Sequence, residues 1–292
     1  MNYQRYCDAK AFYSDVFPVL LRHEAQNSLP LGNVVLGNKG GCERGWKRVE
    51  NWYMAAVGND GGEIILVAIM TPPFNITLYE RGNIANDDAL KILCENLLKE
   101  NITVPGVLSS NDLAKRFADE YTARANKNYA IHQKMRIYTL EKVSVNIPQI
   151  GYLKKAEEKD LYFLPYWYNE FNFDCGFERQ SLEEVAASVK EAIEGKMLFV
   201  LEDGGVPVSM ASAAREIVNG RRVAMVYTPP YFRNKGYASS CVAKVSQIVL
   251  DMGCKYVTLF TDLSNPISNS IYQKIGYKPV CDNLELVFTH KD

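Results

Sequence analysis

The sequence lacks any bias of charge, has no paired cysteines, little histidine and no long apolar run, and each shortage removes a class of function. Lysine and arginine number 33 against 34 acidic residues, a formal net charge of −1, so no broad field draws the chain to nucleic acid or to an anionic membrane. The seven cysteines (Cys7, Cys42, Cys94, Cys175, Cys241, Cys254, Cys281) are odd in number, scattered and without a CxxC spacing. They therefore read as reduced thiols, with no disulfide scaffold and no metal site. Of the three histidines, His23 and His132 fall in the first half and His290 near the end, so none is a favoured base. The longest strongly apolar run, Ile64 to Met70, is far short of the ~20 residues of a membrane helix. The opening MNYQRYCDAKAFYSD is too polar for a secretory leader. The expectation is a cytoplasmic protein whose partner is a small molecule.

What is present is enough apolar and aromatic material for a large core: 47% hydrophobic residues, with 18 Tyr and 12 Phe. A chain of 292 residues exceeds the ~100 to 200 of a usual domain, so two domains are expected. The stretch RIYTLEKVSVNIPQIGYLKKAEEKD passes from strand-like alternation through Pro148 and Gly151 to a charge cluster, which puts a linker near 143 to 150 and domains at 1–145 and 150–292.

Downstream, Asp160 is placed to cap an aromatic helix, LYFLPYWYNEF, with Pro165 clouding its length. A second helix opens with a Ser181/Glu184 capping box, carries Leu182, Val185, Val189 and Ile193 on one face and stops at Gly195. Three strand-like stretches follow, KMLFVLED, GVPVSMASAARE and RRVAMVYT, separated by Asp203-Gly204 and Asn219-Gly220 turns. Pro229 and Pro230 end the third, because neither offers a backbone N–H to a sheet. After RNKG, the residues Ala238, Val242, Val245 and Val249 recur at helical spacing. A strand YVTLFTD, a helix opened by Asn265-Pro266 and closed at Gly276, and terminal strands complete the order β-α-α-β-β-β-α-β-α-β-β, a mixed sheet flanked by helices.

The glycine-containing loop carries the chemistry. A helix N-terminus leaves about four backbone N–H groups unbonded and carries partial positive charge, so a loop entering it tightly can cradle phosphate oxygens. Gly236 admits a ligand close to the backbone, Ala238 is small, and Arg233 and Lys235 add positive charge. A plain strand-to-helix connection with solvated basic residues would show the same hexapeptide.

The element Arg233-x-x-Gly236-x-Ala238, after an extended VYT and opening a helix, resembles the acyl-CoA pyrophosphate motif of the GNAT superfamily of N-acetyltransferases. Asn265, Tyr272, Gly276 and Tyr277 resemble that superfamily's second marker. The succession of elements is similar to its fold, and VYTPP and TDLSNP resemble a two-domain bacterial branch akin to glycine N-acyltransferase-type proteins. The resemblance implies acetyl-CoA as co-substrate. Its pyrophosphate would lie on Arg233, Asn234, Lys235, Gly236, Tyr237, Ala238 and Ser239, and its pantetheine arm along Val226, Tyr227 and Thr228 and against Asn265. A backbone N–H near Tyr227 would stabilise the oxyanion.

Tyr272 is the expected general acid, since a phenol with pKa near ~10 stays protonated at neutral pH and can supply a departing thiolate. A buried core tyrosine is the alternative. The base is less visible; Glu170 on the aromatic helix and Asp262 before Asn265 are candidates, although either can be a solvated or capping carboxylate. The aromatic cluster Tyr166, Trp167, Tyr168, Phe171 and Phe173 can line an acceptor pocket or belong to the core.

The first half echoes the second. IILVAIMTPPFN reads as a strand stopped by Pro72 and Pro73 and followed by a helix bearing Leu90, Leu93, Leu97 and Leu98. No Arg-x-x-Gly-x-Ala precedes that helix, and the loop NITLYERGNIANDD ends in Asp87 and Asp88, with Asp87 expected to cap. The first domain thus reads as a degenerate GNAT-like repeat without a cofactor motif that covers the site, shapes the acceptor pocket or makes a homodimer. An unrelated N-terminal domain is the alternative. The expected activity is transfer of acetyl to the amine of a small or amino-acid-like acceptor in a ternary complex. A non-catalytic acyl-CoA sensor and an enzyme using a longer acyl-CoA are the other readings.

Overall fold

The computed structural model describes residues 1–41 and 48–291. Cys42 lies outside the described residues, and the described cysteines form no disulfide. By contact the chain divides into two units: 1–137 with 262–264 and 280–292, and 138–261 with 265–279. A single cut near 145 to 150 therefore misses the return of the C-terminal strand to the first unit.

The first unit runs β1 (Asn2–Tyr6), α1 (Ala9–Leu21), α2 (Ser28–Asn38), β2 (Tyr53–Gly58), β3 (Ile64–Met70), β4 (Ile76–Glu80), α3 (Asp87–Lys99), β5 (Gly106–Ser110), α4 (Asn111–Ala125) and β6 (Lys127–Leu140). Its strands are antiparallel from β1 through β4, and β4 and β5 are parallel. Strand β4 corrects the sequence reading, which took ITLYE as loop. Thr71-Pro72-Pro73-Phe74 is the turn of a β3–β4 hairpin, closed by the Phe74 N–H on the Thr71 carbonyl at 3.1 Å, and every residue of β4 is buried. The TPP of the first half thus ends the second strand of a three-strand meander, whereas the later TPP ends the third. The cap of α3 is also displaced by one residue: Asn86, and not Asp87, accepts from the Ala89 N–H.

The second unit runs β7 (Tyr152–Lys155), α5 (Leu164–Asp174), α6 (Leu182–Glu194), β8 (Leu198–Asp203), β9 (Val206–Glu216), β10 (Gly220–Tyr227), α7 (Tyr237–Asp251), β11 (Tyr256–Asp262) and α8 (Pro266–Ile275), before β12 (Lys278–His290). Strands β7 to β10 are antiparallel neighbours in sequence order, and β10 pairs in parallel with β11. One continuous β12 replaces the two final strands expected. Asp160 does not cap a long aromatic helix; it is the N3 residue of a capping box with Glu157 on a short 3-10 turn, and α5 starts after it with Pro165 in its first turn. The Ser181/Glu184 capping box and the Gly195 stop of α6 stand as read.

Alternating side chains divide the second unit into two apolar layers. Val223, Val257 and Leu259 face Cys241, Val242, Val245 and Val249 of α7 and Tyr272 and Ile275 of α8. Leu198, Val200, Met210 and Tyr227 face Leu164 of α5 and Val185, Val189 and Ile193 of α6. Among the described residues, no helix is long and apolar enough to cross a membrane.

In the first unit the C-terminal strand packs closest at Gly106. Residues Asn283 to Val287 of β12 pair antiparallel with β5, and a Cβ on Gly106 would meet the Leu286 carbonyl and lie 2.6 Å from Asn75 Oδ1. Gly106→Ala is therefore expected to lower unfolding stability by about 1–3 kcal/mol, the usual range for overpacking; chemical denaturation with an unchanged midpoint would contradict this packing.

Candidate active site

Parallel pairing of β10 with β11 covers Gly220 to Arg222 against Tyr256 to Thr258. Strand β10 continues to Tyr227 and β11 to Asp262 without further pairing to each other. The register of β10 on β9 shifts twice, between Arg222 and Ala224 and between Ala224 and Tyr227. Met225 sits at φ +54° between these points. A bulge of this kind bends the strand and raises its twist, so backbone groups of β10 beyond Arg222 lose β11 as a partner.

Beyond Tyr227 the chain is steered into α7 by local bonds. Thr228 shares a hydrogen bond of 2.9 Å with Ser209, and its carbonyl accepts from Arg233 Nε at 2.9 Å. Arg233 also pairs with Asp174 at 2.8 Å, so its charge is partly spent on holding the loop to the end of α5. Asn234 and Gly236 take positive φ (+63° and +83°), and Gly236 is the N-cap with no side chain bonding the helix entrance. The next described bond into the helix is the Ser240 N–H on the Gly236 carbonyl at 3.0 Å.

Residues Arg233 to Gly236 are exposed, and Tyr237, Ala238 and Ser239 are half-buried. Lys235 lies 5.9 Å from the Phe232 ring centroid. Tyr237 donates to Asp203 at 2.5 Å, and Ser240 donates to the Ile150 carbonyl at 2.7 Å, fixing the first turn of α7. An exposed helix entrance, with no capping side chain and a basic loop before it, has the chemistry of an anion cradle.

Tyr272 belongs to a packed cluster with Val226 and Tyr237 at its margin. The Tyr272 side chain is 8% exposed. Burial raises its pKa well above the ordinary phenol value, with nearby Cys175 adding to the shift. Among the described residues its hydroxyl has no hydrogen-bond partner. Asn265 caps α8 through its side-chain oxygen, which accepts from the Ser268 N–H at 3.0 Å; its amide NH2 group points no bond into that cap.

The two base candidates are less well poised. Glu170 forms a two-point ion pair with Arg179 at 2.8 and 3.0 Å, which lowers its pKa. For Asp262, burial acts upward, but hydrogen bonds from the Ser264 backbone and side chain and from Gln133 prevail and lower the pKa. By contact Asp262 falls in the first unit. His23 is bonded to Tyr79 in that unit at 3.1 Å. The aromatic cluster divides: Trp167, Tyr168 and Phe171 pack on the core, whereas Tyr166 and Phe173 are exposed. Ser209, Asp174 and Cys175 were invisible as site residues, because only strand register and the end of α5 bring them to Thr228, Arg233 and Tyr272.

In the first unit the entrance of α3 is closed by side chains of that unit. Asn86 caps α3, the Glu80 carboxylate accepts from the Asn86 N–H at 2.8 Å, and Arg116 binds Glu80, Asp87 and Asp112. Between β4 and β5, Ser109 donates to the Leu78 carbonyl at 2.8 Å. A cavity of about 20 Å³ beside it, lined by Asn27, Thr77 and Asn283 among others, has room for about one water.

Residues 163–277 match the family described as "Acetyltransferase (GNAT) family". This match spans the aromatic helix, the α7 loop and Tyr272. No curated protein matches the sequence. Among solved structures, a GCN5-related N-acetyltransferase from Sphaerobacter thermophilus superposes with a TM-score of 0.63 at 12% identity, over 99% of this chain and 97% of that one. One from Kribbella flavida gives 0.59 at 14% identity, over 97% and 96%. A tandem GNAT protein from the clavulanic acid biosynthesis pathway gives 0.59 at 10% identity, over 99% and 98%. The fold is thus a mixed α/β architecture with GNAT-like neighbours, tandem ones included.

The hydroxyl geometry separates two tyrosines. Tyr277 shares a buried hydrogen bond of 2.8 Å with Ser246, and Tyr277→Phe is expected to cost about 1–2 kcal/mol of stability. Tyr272→Phe, removing an unbonded hydroxyl, is expected to stay within about 0.5 kcal/mol of the parent. Equal losses in denaturation would place Tyr272 among the bonded core tyrosines.

Proposed function

We propose that the protein is an N-acetyltransferase that moves acetyl from acetyl-CoA to the amine of a small or amino-acid-like acceptor, by direct transfer in a ternary complex. The observation that carries this reading is the uncapped, exposed entrance of α7 beside the parted end of β10, both inside the segment matching the acetyltransferase family. The N–H groups from Asn234 to Ser239 would take the pyrophosphate of coenzyme A, with Lys235 supplying charge. Backbone groups of Val226, Tyr227 and Thr228, left without β11, would pair with the amides of the pantetheine arm, and the Asn265 amide would bond its polar groups.

In the transfer, the neutral amine forms the new C–N bond at the thioester carbonyl. A backbone N–H beside Tyr227 stabilises the oxyanion as it develops. The C–S bond then breaks, the departing thiolate takes a proton from Tyr272, and the amide nitrogen loses its extra proton to water. Burial suits Tyr272 to this role, because a raised pKa keeps the phenol protonated through neutral and mildly alkaline pH. The depressed pKa values of Glu170 and Asp262 support water, rather than either carboxylate, as the proton acceptor. The same observation favours a second reading, an acyl-CoA-binding protein without turnover.

The first unit is proposed to be a GNAT-like repeat that binds no coenzyme. Its order of strands and helices supports this, as does an α3 entrance filled by Asn86, Asp87 and the Arg116 ion pairs.

Calorimetry with acetyl-CoA is expected to give one site per chain, and two sites or none would overturn the assignment. Thiol release across a panel of amines separates enzyme from binder. In that assay Tyr272→Phe is expected to lower kcat by roughly 10²–10⁴-fold, the range for loss of a general acid, with coenzyme affinity nearly unchanged. For the parent, log(kcat/KM) is expected to climb with pH as the acceptor ammonium ionises, toward its own pKa near ~10. A plateau from pH 6 upward would instead reveal an enzyme base titrating near 6.

A further inference from the structure

Strand register sets two arginines side by side in the second unit. Arg222 of β10 lies opposite Arg215 of β9, and opposite Thr258 of β11 on its other side. Like charges directly opposite one another disfavour folding, and an enclosed cation without a partner disfavours it further. Arg215 makes interactions of its own. For Arg222, Nε is enclosed and has no hydrogen-bond partner among the described residues. Its guanidinium sits 5.4 Å from the Phe260 ring centroid, a contact that leaves the N–H groups unused. The preceding residue, Arg221, pairs with Glu216.

The position of this cation relates it to the acyl site. Val223 faces the layer of α7, so Arg222 projects from the other face of β10, the one on which Met225 and Tyr227 meet the layer of α5 and α6. Phe260 alternates with Leu259 in the same way and falls on that face of β11. Arg222 is three residues before Met225, about 10 Å along the strand, and it is the last β10 residue paired with β11. It therefore marks the point where the two strands part. Burial lowers the pKa of Arg222 well below the ordinary value, and the charge of Arg215 adds to this; Arg215 itself is pulled down to about 10 by burial. Burial is thus the leading cause of both shifts.

We infer that Arg222, with Arg215 beside it, receives an oxyanion of the acceptor, so that the substrate is an amine bearing a carboxylate or a phosphate. The inference rests on the acyl-transfer reading and narrows its substrate class. A planar guanidinium offers paired N–H donors that match either oxyanion. A neutral amine would leave Arg222 Nε as unbonded as it is in the folded chain.

The test uses full-length protein with saturating coenzyme A and three probes: butylamine, 4-aminobutanoate and 3-aminopropyl phosphate. Thermal shift reports binding, and thiol release from acetyl-CoA reports turnover. Parent protein is expected to be stabilised by one or both anionic amines and not by butylamine, and which anion acts identifies carboxylate or phosphate. Arg222→Met is expected to abolish that shift and raise KM for the anionic amine at least tenfold while changing kcat much less. Arg222→Lys is expected to restore part of both, with coenzyme affinity unchanged throughout. Without ligand, Arg222→Met is expected to melt at or above the parent temperature.

Equal responses to charged and neutral amines, an anion preference surviving in Arg222→Met, or a large loss of melting temperature in that variant without ligand would each overturn the oxyanion site. Arg222-dependent binding of anionic amines with no thiol release would retain the oxyanion site and remove the transferase reading. Thiol release with all three amines alike would do the reverse.

Discussion

The parting of β10 from β11 after the Arg222–Thr258 pair is the constraint on which the second unit depends. Two parallel strands normally stay paired, because every unpaired backbone N–H and C=O within a protein must find another partner. Here they cannot close. The bulge at Met225 turns β10 out of register, while the strands on either side are pinned by apolar layers, with Val223, Val257 and Leu259 on α7 and Tyr227 on α5 and α6. The backbone of β10 is therefore held extended with one edge unpaired by β11. An extended chain carrying amides is the kind of ligand such an edge accepts, which is why the gap and the acyl-transfer reading belong together.

The end of β10 links that edge to the helix entrance. Pro229 and Pro230 stop the strand, Arg233 binds the Thr228 carbonyl and Asp174, and Gly236 at φ +83° turns the chain into α7. Only the glycine is needed for conformation; a Cβ there would be strained by φ and would sit 3.2 Å from Ile150 Cδ1. The arginine of the motif thus works largely as a brace, with Lys235 the loop's other basic side chain. Such a division is invisible from charge alone.

What could be read from the sequence was local. The caps of α6 and α8 were legible because Ser181, Glu184, Asn265, Pro266 and Gly276 act within a few residues of where they stand. The glycine turn into α7 was legible for the same reason. Strand β4 was missed because Thr-Pro-Pro can stop a strand before a helix or turn it into a hairpin, and only the buried pairing of ITLYE with β3 decides between them. The approach of Cys175 to Tyr272, the Asp174 brace and the facing of Arg222 and Arg215 depend on register or on helix placement. The return of 280–292 to the first unit is of the same kind, since β12 reads as a good strand wherever it pairs.

The entrances of α3 and α7 differ in the fate of a few backbone groups. At α3 the helix entrance is satisfied by Asn86, complemented by Asp87 and Asp88 in the first turn, and braced through Glu80 and Arg116. Each of these features stabilises a helix. At α7 all are absent: the cap residue is a glycine, no acidic residue lies in the first turn, and no side chain bonds the entrance. A sequence shaped for folding alone would place a capping side chain there at little cost. Its absence leaves N–H groups and helix charge at an exposed entrance, the chemistry that an anion can complete. The same reasoning extends to Arg222, whose enclosed Nε is as incomplete within the folded chain as the first turn of α7. The exposed entrance of α7 and the enclosed Arg222 Nε are thus two sets of donors that, among the described residues, no side chain completes.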